Sequence, residues 1–381
     1  MRAPEGEGLR PVLRERRIVI CCGSGGVGKT TTAAAIALAG ALEGRRTCVV
    51  TVDPARRLAD ALGVAAIGNV PHVIRGDFSG ELSAVMLDAK GTFDDLVRRY
   101  AQDEDQVARI LDNRLYRNLV SGLSGTQEYM ATEKLFELHE EGDFDLIVVD
   151  TPPTRNALDF LDAPRRLTGF LDNRLFRLLV SPGRAMRAMS VAAQLLLRTL
   201  ARVAGSEIVE DTIAFFQAFE GMEAGFRERA ARVQHLLEEA ATGFVLVAAP
   251  RRESVAEADY LAARLREMGH GIDALIVNRV LVGFDVPALV GADEDAADHR
   301  AARPGDYEAL RANLAELSAL GFAEERLVDG FAEGLDSAVV RVPELGTDVH
   351  DLAVLEALAR YLLSGSADAA RGEDATGERA H

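Results

Sequence analysis

Short, continuously apolar runs alternate along this chain with longer polar stretches of helical period. The runs are "RIVICC" (17–22), "RTCVVTVD" (46–53), "LSAVMLD" (82–88), "FDLIVVD" (144–150), "GFVLVAAP" (243–250), "DALIVN" (273–278) and "SAVVRVP" (337–343). Each is rich in β-branched residues and lacks the alternation of a half-exposed strand, which predicts strands buried on both faces. Several end in a polar residue: Asp53, Asp88, Asp150 and Asn278. Between them "TTTAAAIALAGALEG" (30–44) reads as an alanine-rich helix, and "DVHDLAVLEALARYLL" (348–363) as a closing one. Strands alternating with helices, with polar side chains gathered at the strands' carboxyl ends, predict an α/β fold built on a doubly wound parallel sheet.

Two stretches depart from simple alternation. Residues 91–140 and 156–241 are helix-patterned without a convincing strand and read as insertions forming a helical subdomain on one rim of the sheet. The domain is expected over 16–364, with 1–15 a flexible arm and 365–381 a disordered tail of small, polar and charged residues. Within the insertions "LDNRLYRNLVS" (111–121) recurs as "LDNRLFRLLVS" (171–181). Two copies do not make a solenoid, and the pattern reads as reused helix-start chemistry.

The candidate chemistry begins where the first strand ends. Gly23-Ser24-Gly25-Gly26-Val27-Gly28-Lys29-Thr30 fits a phosphate-binding loop, with strand before it and helix after. Glycines let backbone N–H groups curl around a phosphate, and the new helix turns its positive dipole end toward it. Gly25, Gly26, Val27, Gly28, Lys29, Thr30 and Thr31 are the expected phosphate contacts; Lys29 would reach the β- and γ-phosphates, and the Thr30 hydroxyl would take Mg²⁺. Asp150, before "TPPT", is placed as a carboxylate holding Mg²⁺ through water. Asp53 is placed to orient the attacking water or join the metal shell. Lys29, Asp53 and Asp150 are thus the catalytic candidates, and Thr30, Asp53 and Asp150 the metal candidates, since phosphoryl transfer is mostly positioning and charge stabilisation. The chain has 43 basic residues, of which only Lys29, Lys90 and Lys134 are lysine, so an ammonium has been kept where the loop needs one.

These motifs resemble the deviant-Walker P-loop ATPases of the arsenite-transporting (ArsA) and tail-anchored-protein targeting (GET pathway) family. "GSGGVGKTTTAAA" is similar to the family's loop, "VDPARRLADALG" to its switch I and "DTPPTRNALDFL" to its switch II, over about 17–363. The resemblance implies an ATP- and Mg²⁺-dependent ATPase working as a nucleotide-driven dimer, with a P-loop NTPase fold. It also implies that Asn278, in "LIVNRV", recognises adenine and that Pro343 and Glu344, in "VPELG", close over the same base. Partition ATPases of the ParA/MinD kind share Asp-Thr-Pro-Pro, but need a DNA-binding patch or a C-terminal membrane helix, and the tail "SADAARGEDATGERAH" is neither.

Two departures matter. Ser24 stands where the family carries a lysine that reaches the partner's phosphates. Serine lacks both charge and reach, which leaves a heterodimer with a paralogous subunit carrying the lysine, substitution by Arg56 or Arg57, or a nucleotide-binding regulatory subunit of low intrinsic activity. Second, Cys21, Cys22 and Cys48 are the only cysteines, so the thiolates of an arsenite sensor and the Cys-x-x-Cys of a structural zinc are both missing. The few thiols and the absence of an apolar leader or spanning run predict a cytoplasmic protein. A net charge of −17 argues against nucleic-acid binding. One segment opposes that charge: 165–202 holds eight arginines and a single acid, Asp172. Leu171, Leu175, Leu178 and Leu179, then Met186, Met189, Leu196 and Leu200, fall at helical spacing there. The stripe is either a core face with solvated arginines opposite, or a face for an apolar client helix, a membrane-protein partner or acidic lipid.

Overall fold

The computed structural model describes residues 8–53, 57–114, 116, 125–152, 154–173, 176, 180, 206–281, 304–344 and 351–365. The apolar runs form an eight-stranded sheet: β1 (Ile18–Gly23), β2 (Arg46–Thr51), β3 (His72–Ile74), β4 (Glu81–Met86), β5 (Leu146–Asp150), β6 (Thr242–Ala248), β7 (Ala274–Val280) and β8 (Ala338–Pro343). Their order is β3-β4-β2-β5-β1-β6-β7-β8, all parallel except β3, which pairs antiparallel with β4 at the edge. This is the doubly wound α/β architecture expected of a P-loop ATPase. β1 lies between β5 and β6, so the loop that follows it opens at the middle of the sheet.

Both faces are covered, as uninterrupted apolar strands require. On one face pack α1 (Arg10–Glu15), α2 (Lys29–Leu42), α3 (Arg57–Ala61) and α12 (Leu352–Ser364). The alanines of α2 let its backbone lie close against Val19, Val49 and Val148. The other face carries α4 (Ala89–Tyr100), α5 (Glu104–Leu111), α6 (Thr126–Glu141), α7 (Thr154–Leu171), α8 (Ser206–Ala218), α9 (Glu223–Glu238), α10 (Arg252–Glu267) and α11 (Pro304–Ala332). α4 to α6 and α7 to α9 occupy the two insertions.

The arm expected to be flexible over 1–15 is a helix from Arg10 to Glu15. Leu9 and Leu13 are buried against α12, and the Leu9 N–H donates to the Leu362 carbonyl at 2.8 Å. Residues 1–7 and the tail beyond 365 lie outside the described residues, as does most of the arginine-rich stripe. Of that stripe, Leu171, Phe176 and Val180 are buried; Arg165 pairs with Glu238 at 2.7 Å and Arg166 with Asp159 at 2.5 Å. Leu175, Leu178, Leu179, Met186, Met189, Leu196 and Leu200 are outside the described residues. Among the described residues no helix is long and apolar enough to cross a membrane.

The recurring stretch spans a helix end and the helix that follows it: Arg114 and Tyr116 in one copy, and Phe176 and Val180 in the other, are helical again. Leu111 closes α5 and Leu171 closes α7. In both copies the following Asp N–H bonds back four residues, Asp112 to Ala108 and Asp172 to Thr168, at 3.0 Å each. The Asn after it bonds back three. Tyr116 and Phe176, at equivalent places in the two copies, are both buried and both line one apolar cavity of about 500 Å³ among the helices of the insertions.

Candidate functional site

The loop after β1 turns on glycines. Gly26 and Gly28 have φ of +78° and +91°, a region L-residues avoid, and Gly28 caps the start of α2. A methyl group at Gly28 would meet the Asn278 amide nitrogen at 2.3 Å. Gly25 and Gly26 are exposed, Val27 is buried, and Thr31 sits half-buried in the first turn of α2. The buried Lys29 folds over its own loop, its Nζ donating to the Ser24 carbonyl at 2.8 Å. Burial pulls the Lys29 pKa down, against the attraction of Asp150.

Asp150, 1% exposed at the end of β5, is the hub. Its Oδ2 accepts from the Thr30 hydroxyl at 2.7 Å and from the Thr51 hydroxyl at 2.9 Å. Its Oδ1 is buried and has no hydrogen-bond partner among the described residues. Burial pushes the carboxyl above its usual range, against the pull of both hydroxyls and of Lys29. A buried carboxylate oxygen without a donor costs free energy unless a cation or water meets it. The donor set of Thr30 hydroxyl and Asp150 carboxylate is hard oxygen, as Mg²⁺ prefers, so these residues fit that ion.

Asp53 lies two residues past β2, its N–H donating to the Thr51 hydroxyl at 3.3 Å and its carboxylate 3.8 Å from Arg57. Arg57 is largely exposed, and Arg56 is outside the described residues. Lys29, Thr30, Asp53 and Asp150 are therefore brought together. Asn278 meets the loop from β7: its Nδ2 donates to the Val27 carbonyl at 2.9 Å, and its Oδ1 accepts from the Arg279 N–H at 3.0 Å. Pro343 ends β8 opposite Val280, and the Glu344 N–H donates to the Val280 carbonyl at 3.0 Å, which sets both two residues beyond Asn278.

Three participants escape a reading of the sequence. Thr51 is one. Ser254 is another: its hydroxyl bonds the Ser24 hydroxyl at 3.1 Å and accepts the Ala249 N–H at 2.9 Å, tying the deviant loop position to α10 of the same chain. Gln127 is the third, donating from the first turn of α6 to the Val52 carbonyl at 3.3 Å. Thr126, Tyr129 and Met130 of that same turn line the apolar cavity, together with Phe93, Phe216 and Phe226. The cavity and the stretch leading to Asp53 thus share one helix end.

The three cysteines are fully buried in β1 and β2, and burial pushes the Cys22 and Cys48 thiols up to about 12.

Comparison with known proteins agrees with this geometry. Residues 16–286 match the model of the anion-transporting ATPase family. The chain is 26% identical to an ATPase named GET3 from Malassezia globosa, over 93% of this chain and 94% of that one. It is 28% identical to an ATPase described as an ASNA1 homolog from Cryptosporidium parvum, over 72% and 68% of the two chains. A second such homolog, from Paramecium tetraurelia, is 34% identical over 41% of this chain and 46% of its own.

Proposed function

The chain belongs to the anion-transporting ATPase family, and from that premise we propose a magnesium-dependent ATP hydrolysis at the Lys29 loop that closes and reopens a two-chain assembly around an apolar client. One observation carries the nucleotide half: Asp150 keeps a buried Oδ1 without a partner among the described residues while the Thr30 hydroxyl holds its Oδ2, beside the Lys29 ammonium. The amides of Gly25 to Gly28 would cradle the β-phosphate, and Thr31 would follow on the first turn. Lys29 would exchange the Ser24 carbonyl for phosphate oxygens. Thr30 and Asp150 would hold the metal, which would spread the charge developing on the transferred phosphoryl group. Asp53 would orient the attacking water. Asn278, with Pro343 and Glu344 on the neighbouring strand, would take the adenine; its bond to Val27 makes loop and base pocket one unit.

The client half rests on the cavity. Its aromatic lining suits an apolar segment, and α6 touches both this cavity and the chain next to Asp53. Three buried thiols, at least two of them hard to ionise, support a protein that does not sense arsenite through cysteine, and leave any two-chain assembly to apolar packing and nucleotide. A cytoplasmic setting is part of this reading. A second reading, in which the chain is the low-activity member of a heterodimer, draws on Ser24: its hydroxyl is occupied by Ser254 of its own chain, and it offers no cation to another.

Calorimetric titration with ATP and Mg²⁺ tests the nucleotide half. The parent should give a saturable heat that Lys29→Ala removes, and Asp53→Asn should bind but not turn over. A Lys29→Ala variant that titrates like its parent refutes the proposal.

A further inference from the structure

We propose that Thr51 is a positioning residue of the hydrolytic site, resting on the reading of Asp150 given above: its hydroxyl fixes the carboxylate so that Oδ1 faces the metal, and ties switch I to that carboxylate. The sheet itself sets the placement. Thr51 and Asp150 are register partners across β2 and β5, so both side chains leave the sheet on one side at one level. Thr51 is buried and β-branched, which restricts its χ1 and with it the direction of the hydroxyl.

The hydroxyl has one proton and two lone pairs, and the geometry uses both kinds. It donates to Asp150 Oδ2 at 2.9 Å and accepts the Asp53 N–H at 3.3 Å. Thr30 donates to the same Oδ2 at 2.7 Å. Two donors from different elements on one oxygen hold the carboxylate plane, and the other oxygen is left as the acceptor. Thr30 shares this work with the metal, which a lone pair of its hydroxyl would meet while the proton stays on Oδ2. Thr51 is the second donor on Oδ2, and its lone pair serves the Asp53 N–H instead. The Asp53 contact adds a coupling. The backbone that leaves β2 for switch I is held at its second residue by the same hydroxyl that orients Asp150, so a move of Asp53 is felt at the carboxylate.

The backbone ladder around Thr51 does not use its side chain: the Leu87 N–H donates to the Thr51 carbonyl at 3.0 Å and the Val52 N–H to the Asp150 carbonyl at 3.3 Å. Thr51→Val keeps shape and ladder and removes only the hydroxyl. The test is titration of the full chain with ATP, once with Mg²⁺ and once with EDTA, for the parent, Thr51→Val and Thr51→Ser. Thr51→Val should lose about tenfold of the gain in ATP affinity that Mg²⁺ confers, the usual effect of removing a residue that orients a metal ligand. Its affinity in EDTA should stay that of the parent, and Thr51→Ser should recover most of the gain. The assignment is overturned if Thr51→Val keeps the full gain, if it loses affinity equally with and without metal, or if serine fails where valine fails. A parent that binds no ATP, or gains nothing from Mg²⁺, overturns the nucleotide reading itself; an unaffected Thr51→Val in a metal-responsive parent overturns only the role of Thr51.

Discussion

Replacing Arg229 by methionine should destabilise the fold at neutral pH far more than its position outside the candidate site suggests. Arg229 of α9 and Glu133 of α6 form a salt bridge with both side chains at most 5% exposed. The second carboxylate oxygen of Glu133 accepts the Tyr129 hydroxyl at 3.2 Å, and the guanidinium lies 4.1 Å from the centre of the Phe136 ring. Methionine keeps the packing on Phe136 but leaves a buried carboxylate with one neutral donor. Removing one partner of such a pair costs about 3–5 kcal/mol, because the surviving charge stays out of water. Replacing both partners, as Glu133→Leu with Arg229→Met, should return most of that loss, since the desolvation cost disappears with the charge.

The pH dependence has a definite sign. Burial already raises the Glu133 pKa above its ordinary 4.5, while attraction to Arg229 holds it down. Without Arg229 it rises further. Between the unfolded and folded values the native state then binds the extra proton, so stability falls as pH rises through that window and recovers as pH drops. The cost of Arg229→Met should therefore shrink between pH 7 and pH 5. The chain has no tryptophan, so urea unfolding is followed by far-ultraviolet circular dichroism, comparing midpoints at the two pH values. A cost below about 1 kcal/mol at pH 7, or one unchanged at pH 5, refutes the account of this pair.

Gly28→Ala should cost about 1–2 kcal/mol for its left-handed backbone plus the clash with Asn278. In the Asn278→Ala background only the backbone part remains, so unfolding midpoints should show a favourable coupling of about 1 kcal/mol; strict additivity would count against it. Ser24→Lys should raise ATP turnover of the isolated chain by about tenfold or more if a cation reaching the partner's phosphates is what the chain lacks. Unchanged turnover across a range of protein concentration would mean the loop is already complete.

Seven of the eight strands are legible as apolar runs because a strand covered on both faces carries its signal in itself. β3 is not, since His72 and Val73 of its three residues are exposed and it exists by pairing with β4. α1 hides for a related reason. Its six residues are too short to be stable alone, and the surface that buries Leu9 and Leu13 lies some 350 residues later, in α12. The site divides the same way. Lys29, Thr30 and Asp150 are readable because a loop motif and a strand end are local. Thr51 becomes visible only once β2 and β5 are set in register, 99 positions apart. Ser254 lies 230 positions from Ser24, and nothing local in "RRES" announces the contact.

The charges near the loop bear on which two-chain assembly the nucleotide favours. Asp150 and Asp53 supply two negative charges; Lys29 and the exposed Arg57 supply two positive ones, Arg57 at 3.8 Å from Asp53. Among the described residues these sum to zero before any nucleotide arrives. A triphosphate with its metal keeps about two negative charges, and the α2 dipole offsets only about half of one. Arg57 is a weak contributor, because its exposure lets water and salt screen it. Two copies of this chain face to face would bring two such deficits together, each with a serine hydroxyl bound to its own α10 where the resemblance would place a cation. A partner loop bearing an ammonium at that position would relieve the deficit on this side while its own site stayed short. Under the two-chain reading proposed above, the asymmetric pair would therefore close more readily than the symmetric one, with the stronger closure over this chain's nucleotide.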